Sequence, residues 1–152
     1  MISRIILIFC FICMLFTKTD FDVVESNSQK WHGGRRETGS GTNYEIKLLT
    51  HRDSKTLKFS GIWIDKKYFD LKSRIITTIH GDSIYFKNDT LLISFTDHVS
   101  EIKEFNDSEI DQNSISPPYQ YQGEALIKYE YKGKIKYAVI KKIKPLQDVY
   151  YP

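Results

Sequence analysis

The fold of this chain is decided by residues 44–97, which read YEIKLLTHRDSKTLKFSGIWIDKKYFDLKSRIITTIHGDSIYFKNDTLLISFTD. Apolar and polar residues alternate from Tyr44 to Leu48 and again from Leu91 to Phe95, which is the two-residue period of a half-buried strand. Polar turn residues such as Asn88 and Asp89 separate the apolar runs at spacings of about 8 to 12 residues. This pattern predicts an all-β fold, an antiparallel meander that forms a small barrel or sandwich.

Other short apolar runs extend the same pattern. Gly61 lies inside one of them and predicts a bulge or a sharp bend, since a glycine weakens a regular strand. Lys132 and Gly133 separate two alternating runs and predict the turn of a C-terminal hairpin. The additional predicted strands are Leu57 to Ile64, Ile75 to Ile79, Ile84 to Phe86, Ile127 to Tyr131 and Ile135 to Val139.

A chain of 152 residues suits one domain with a single core. The strands and the hairpin together predict one β domain over residues 44–144, with a long loop at 106–123 where the strand pattern stops. The Gly, Ser and charge-rich segment 20–43 predicts a flexible polar linker, and residues 145–152 a short tail. Val99, Ile102 and Phe105 have helical spacing, so one short helix near residues 99–105 is allowed.

The N-terminal residues 1–19 have the pattern of an export signal. Arg4 gives a basic start, Ile5 to Phe16 is an apolar run of twelve residues, and Thr17 to Asp20 ends it with polar residues. Twelve residues are too few to cross a hydrocarbon core of about 30 Å. We therefore expect an exported protein, located in the extracellular medium, the periplasm or the cell envelope, with membrane contact only through an uncleaved N-terminal segment.

Both cysteines, Cys10 and Cys13, lie inside the apolar run. If the segment is removed, the mature chain has no cysteine, which excludes disulfides, thiol catalysis and cysteine-ligated zinc. Removal also takes away Arg4 and Lys18 and leaves 20 basic against 19 acidic residues. The net charge therefore gives no support to a nucleic-acid partner, and we predict none.

Histidines and aspartates supply the enzymatic alternative. Loops at one end of a meander could gather His51, His80 and His98 with an oxygen of Asp53, Asp82 or Asp97 as a metal ligand. The competing hypothesis is therefore a secreted hydrolase that uses His and Asp residues, with or without a metal ion. The sequence His80-Gly81-Asp82-Ser83 also resembles a nucleophile loop, but a predicted strand follows it where such a loop needs a helix. Turn residues of a hairpin explain it better. We expect no cofactor and favour a protein without catalytic activity.

Bulky aromatic residues supply the candidate binding site. If the strands close into a barrel, aromatic side chains fill it or line a pocket for a small apolar ligand. The long loop at 106–123 is the candidate surface for a protein partner, because long loops without structure of their own are often functional. The candidate ligand-binding residues are Trp63, Tyr85, Tyr129 and Tyr137.

Lysines interleave with tyrosines in the C-terminal hairpin, a composition that can bind single-stranded nucleic acid. The alternation instead predicts that the tyrosines mainly enter the core while the lysines, Lys136 among them, face solvent. Asn88 and Asn106 each begin a glycan acceptor pattern. Taken together, the sequence predicts an exported β domain that binds a protein partner or a small apolar ligand, and a structural component of the cell envelope is the remaining alternative.

Overall fold

The computed structural model describes residues 19–34, 39–71, 75–99 and 115–152. These ranges contain β-strands and no α-helix, so the all-β prediction is confirmed. No helix in them is long and apolar enough to cross a membrane. The strands are β1 (Phe21–His32), β2 (Ser40–Thr50), β3 (Leu57–Ile64), β4 (Lys67–Asp70), β5 (Ile75–Thr78), β6 (Thr90–Val99), β7 (Ala125–Tyr131), β8 (Lys134–Ile140), β9 (Lys144–Pro145) and β10 (Val149–Tyr150).

The strands form two sheets that pack as a sandwich. The first sheet has the order β10-β1-β2-β6-β5, with β9 also paired to β1, and the second has the order β4-β3-β7-β8. Four antiparallel pairs join consecutive strands, namely β1–β2, β3–β4, β5–β6 and β7–β8. The antiparallel pairs β2–β6 and β3–β7 join distant parts of the chain. Over the described ranges the sheets do not close into a barrel, so the sandwich is the correct form of the predicted fold.

The core lies between the sheets and is filled by the inward side of each strand. Phe21 is at its edge, where its ring meets those of Phe59 and Tyr129 edge-on at centroid distances of 5.1 and 5.0 Å. Burying each aliphatic side chain contributes about 1.5 to 3 kcal/mol, so these positions dominate the stability of the fold. The fully buried aliphatic residues of this core include Ile46, Leu48, Leu57, Ile62, Leu71, Leu91, Ile93 and Ile127.

The prediction of a flexible linker over 20–43 is wrong for strand β1. Its ladder with β2 runs from Phe21 opposite Thr50 to His32 opposite Ser40, with a bulge between Val23 and Glu25. Strand β1 is polar because most of its side chains are at least partly exposed to solvent. Such positions do not need apolar residues, so the strand lacks the alternating pattern. The tail is also ordered by β1, since β9 and β10 pair with it in parallel.

Three local predictions have definite outcomes. The register of β3 against β7 shifts between Phe59 and Gly61, which confirms the predicted irregularity at Gly61. Lys132 and Gly133 have positive φ angles of 50° and 76°, as a tight hairpin turn needs, and join β7 to β8. The strand predicted at Ile84 to Phe86 is wrong, because this segment has no strand partner and belongs to a loop.

Other predictions fall on residues that are not described. Val99 ends β6, and the rest of the helix predicted near 99–105 lies outside the described ranges. The same holds for residues 1–18 of the export signal, for 106–114 of the long loop and for the glycan acceptor Asn106.

Candidate functional site

The β5–β6 loop, residues 79–89, presents three large apolar side chains to solvent at one end of the sandwich. Ile79, Ile84 and Phe86 are 60%, 68% and 67% exposed. All three line one surface depression of about 370 Å³. Exposed apolar residues are ordinary when they are scattered, but a group on one surface is not.

The first half of this loop is a tight turn anchored on the buried residue Thr78. The Thr78 N–H donates to the carbonyl of Asp82 at 2.7 Å, and the Gly81 N–H donates to the carbonyl of Thr78 at 2.9 Å. The Thr78 hydroxyl oxygen also accepts from the Asp82 N–H at 3.1 Å. Gly81 has a φ of 93°, which glycine adopts without strain. The interpretation of Gly81 and Asp82 as turn residues is therefore confirmed.

The second half is fixed by Tyr85, whose ring is buried in the core. Its hydroxyl donates to the carbonyl of Leu57 at 2.5 Å, and its own carbonyl accepts from the Ser54 N–H at 3.0 Å. Because side chains alternate along extended backbone, burying Tyr85 turns Ile84 and Phe86 outward. The Asp89 carboxylate accepts from the Phe86 N–H at 2.7 Å, which fixes the end of the loop.

Burial raises the pKa of Tyr85 to about 12 from 10.0, and the nearby negative charge of Asp53 adds to the shift. The neutral hydroxyl is favoured in the folded state, so Tyr85 adds stability that is fully present below pH 10 and is lost as the pH rises towards 12. We expect Tyr85→Phe, which cannot ionise, to be less stable than the wild type by about 1 to 3 kcal/mol at neutral pH. The difference should narrow between pH 10 and about 12.

Urea unfolding of both proteins across this pH window measures how the difference in their free energies of unfolding depends on pH. Tyr150→Phe is the matched control, because Tyr150 is 73% exposed and the same hydroxyl is removed from the surface. A constant difference between wild type and Tyr85→Phe over the whole window would contradict the assignment.

The four predicted ligand-binding residues lie in two different places. Tyr85 and Tyr129 are in the core between the sheets. Trp63 and Tyr137 lie on the outer side of the second sheet, with ring centroids 6.2 Å apart. There the Trp63 indole N–H donates to the carbonyl of Ile115 at 2.8 Å, and Tyr119 packs edge-on against Tyr137. The structure thus brings together Trp63 and Tyr137, covered by the described end of the long loop.

The three histidines of the enzymatic hypothesis have different surroundings and different neighbours. His51 lies 2.9 Å from the Asp22 carboxylate, His98 lies beside the Trp31 ring, and His80 is exposed in the β5–β6 loop. His32 stacks on Tyr150 with centroids 4.7 Å apart. Among the described residues, no group of three or more His, Cys, Asp or Glu side chains is placed to hold a metal ion.

Sequence reasoning missed a charged cluster around Asp20, whose side chain is only 4% exposed. Its carboxylate accepts from the Lys136 ammonium at 2.8 Å, the Tyr129 hydroxyl at 3.2 Å and the Arg52 guanidinium at 3.2 Å. The prediction that Lys136 is simply solvated is wrong, because Lys136 pairs with Tyr129 in the hairpin and so reaches the same side of the sheet. That hairpin register was the available sequence signal. Asp20 is the N-terminal link between the two sheets.

The β5–β6 loop therefore combines exposed apolar surface with a fixed backbone. It offers side chains that can be buried against another molecule. No family model matches this chain, and no curated protein or solved structure matches it either.

Proposed function

We propose that this chain is an exported, non-enzymatic binding domain that docks a protein partner through the β5–β6 loop. The observation that carries the proposal is the grouping of Ile79, Ile84 and Phe86 around one depression while each remains at least 60% exposed. Such a group costs solvation free energy until it is covered. Contiguous exposed apolar surface of this kind marks interaction sites.

The fixed backbone of the loop supports the same proposal. Ordering a flexible side chain or loop on binding costs about 0.5 to 1.5 kcal/mol for each group immobilised. The anchors at Thr78 and Tyr85 remove much of that cost before binding. Phe86 is the natural hot spot, since a rigid aromatic ring that fills a pocket carries a large share of the affinity of an interface.

The charges around the depression favour a protein over a lipid surface. Asp82 and Asp89 line it together with His80, and Lys87 is exposed beside Phe86. A mixed rim around an apolar centre is the usual anatomy of a protein interface. Anionic lipid surfaces are recognised instead by clusters of lysine and arginine. The expected partner therefore has an apolar pocket with a polar rim.

The earlier hypothesis of a small ligand inside the strands has less support. Aliphatic and aromatic side chains of both sheets occupy the interior, and Tyr85 and Tyr129 belong to that packed core. A filled core needs no ligand for its stability. The proposal therefore places recognition on the surface, in the exported setting that the N-terminal segment predicts.

Site-specific crosslinking tests the docking loop in the cells that produce the protein. A benzophenone amino acid replaces Phe86 in one variant and Ile135 in the other. Ile135 is the matched control, since it is 60% exposed on β8, away from the loop. We expect one defined protein adduct from position 86 and none from position 135, and the adduct should disappear when Ile84→Ser is added.

The partner identified in this way is then used for affinity measurements. Phe86→Ser should raise its Kd at least about tenfold, equivalent to 1.4 kcal/mol, while Ile135→Ser leaves the Kd unchanged. The proposal is overturned if position 86 gives no adduct, the same adduct as position 135, or adducts only with lipid or a second copy of this chain.

A further inference from the structure

A second cleft, of about 370 Å³, opens near the other end of the sandwich, on the outer side of the first sheet. Trp31 and Tyr151 contribute aromatic rings to it, and Asn43 and Thr96 contribute polar groups. Its volume is within the range of small-molecule sites, about 300 to 1,000 Å³. The cleft is separate from the β5–β6 loop. Trp31 lies in one row with His98, near the end of β6, whereas the loop joins β6 at its beginning, where Thr78 pairs with Leu91.

The Trp31 ring is held in a defined position by three neighbours. Trp31 pairs with Gly41, which pairs with His98, so the three residues share one row on the same side of the sheet. The indole lies over Gly41, where a Cβ atom would come within 2.7 Å of its nitrogen. The His98 ring is 5.2 Å away and the Tyr151 ring 6.4 Å away, centroid to centroid. The tryptophan is therefore ready to stack a ligand without being reordered.

Asn43 and Thr96 give the cleft a polar side with a fixed orientation. The Thr96 hydroxyl donates to the amide oxygen of Asn43 at 2.8 Å. This bond turns the amide so that its N–H₂ group remains to donate elsewhere, and it has no hydrogen-bond partner among the residues that the structure describes. A ligand hydroxyl or carbonyl can accept from it.

The side chains that line the cleft in the described part of the chain carry no formal charge, and Pro152, the last residue of the sequence, adds a backbone carboxylate that accepts hydrogen bonds from hydroxyl groups. A neutral ligand with one apolar surface and a hydroxyl-bearing edge matches an aromatic ring beside an amide and a hydroxyl. Hexopyranose rings have this amphipathic character, with C–H groups on one surface and hydroxyls at the edge. We propose that the cleft binds a neutral saccharide, with a pyranose ring stacked on Trp31 and a hydroxyl hydrogen-bonded to Asn43.

Nuclear magnetic resonance titration of the mature chain tests this site, because the two tryptophans give two indole N–H signals. The probes are cellobiose, maltose, lactose and N,N′-diacetylchitobiose, each added to about 10 mM, which detects a Kd in the millimolar range. We expect at least one of them to shift the Trp31 signal in a saturable way. The Trp63 signal, whose N–H is already bonded to Ile115, should stay in place.

Two variants establish that the shift comes from the cleft. Trp31→Ala lacks the reporter indole, so its binding is followed through the backbone amide signals of Asn43 and Thr96, and these should no longer shift. Asn43→Ala should raise the Kd at least about fivefold, with the fold retained in the spectrum. Ile135→Ser is the control, because Ile135 is 60% exposed on β8 of the second sheet, and this variant should bind the saccharide normally. The proposal is overturned if no probe shifts the Trp31 signal, if Trp31→Ala or Asn43→Ala binds as the wild type does, or if Trp63 responds equally.

Discussion

Replacing both Arg52 and Lys136 with methionine should lower the free energy of unfolding by about 3 to 5 kcal/mol. Both cations bind the Asp20 carboxylate, whose side chain is 4% exposed. Methionine keeps the length of the apolar stem but removes the charge, so Asp20 would be left buried with the Tyr129 hydroxyl as its remaining partner in the cluster. A buried charge without a counter-ion is among the most costly defects in a fold. Urea unfolding at neutral pH measures the loss.

Two further variants make this result specific to the carboxylate. Adding Asp20→Asn to the double variant removes the unpaired charge, so the triple variant should be more stable than the double. Lys132→Met is the matched control. Lys132 lies over the Tyr131 ring at 5.4 Å, as Arg52 and Lys136 do at 5.0 and 4.8 Å, but it does not bind Asp20. A triple variant as unstable as the double, or an equal loss from Lys132→Met, would contradict this account.

The same cluster gives the protein an acid-dependent component of stability. Burial raises the pKa of Asp20, but the hydrogen bond and charge of Lys136, with the bonds from Arg52 and Tyr129, outweigh it and lower the pKa below the usual 3.8. A lowered pKa means that this stabilisation is fully present above pH 3.8 and is lost as the pH falls through the folded-state pKa. Asp20→Asn should therefore flatten the acid side of the stability profile.

Trp63→Ala should also lower the free energy of unfolding by about 3 to 5 kcal/mol, as large-to-small substitutions of buried tryptophan do. The side chain is 3% exposed, and its ring lies 4.9 Å from that of Tyr68 and 6.2 Å from that of Tyr137, centroid to centroid. Its removal leaves a cavity and the carbonyl of Ile115 without its donor. Circular dichroism during urea unfolding measures the effect.

The other tryptophan is the natural control for this substitution. Trp31 is partly exposed, and Trp31→Ala should cost less than half as much as Trp63→Ala, since surface side chains lose less on truncation. Limited proteolysis within residues 115–121 should accelerate in Trp63→Ala and not in Trp31→Ala. Equal losses of stability, or equal rates of cleavage, would show that Trp63 does not anchor this segment.

The part of the fold that the sequence predicts is the part determined by local signals. Strands β2, β3 and β6 and the hairpin β7–β8 each combine a two-residue period with a turn at the end. Strand β1 has no such signal, because its outward side is polar and its stability comes from backbone pairing with β2. The short strands β9 and β10 are selected by their contacts with β1 and not by their own composition.

In the candidate site, too, local sequence signals predict some features, and others depend on tertiary contacts. The alternation at Ile84, Tyr85 and Phe86 is present in the sequence and orients the three side chains as a strand would, but no neighbouring strand pairs with the segment. The segment instead bonds to the β2–β3 connection through Ser54 and Tyr85. Only the tertiary arrangement shows that two apolar side chains are left uncovered. Asp20 was missed for a similar reason, since its partner Lys136 is 116 residues away in sequence.

The pairing of β1 with the C-terminal strands determines how late in synthesis this protein can finish folding. The Ser26 hydroxyl donates to the carbonyl of Lys142, 116 residues further along the chain. Translation at about 5 to 20 residues per second separates the synthesis of these two partners by roughly 6 to 23 s. Contacts between such distant residues also slow folding itself. During that interval one edge of β1 is unpaired, and an unpaired strand edge is a template on which another chain can pair.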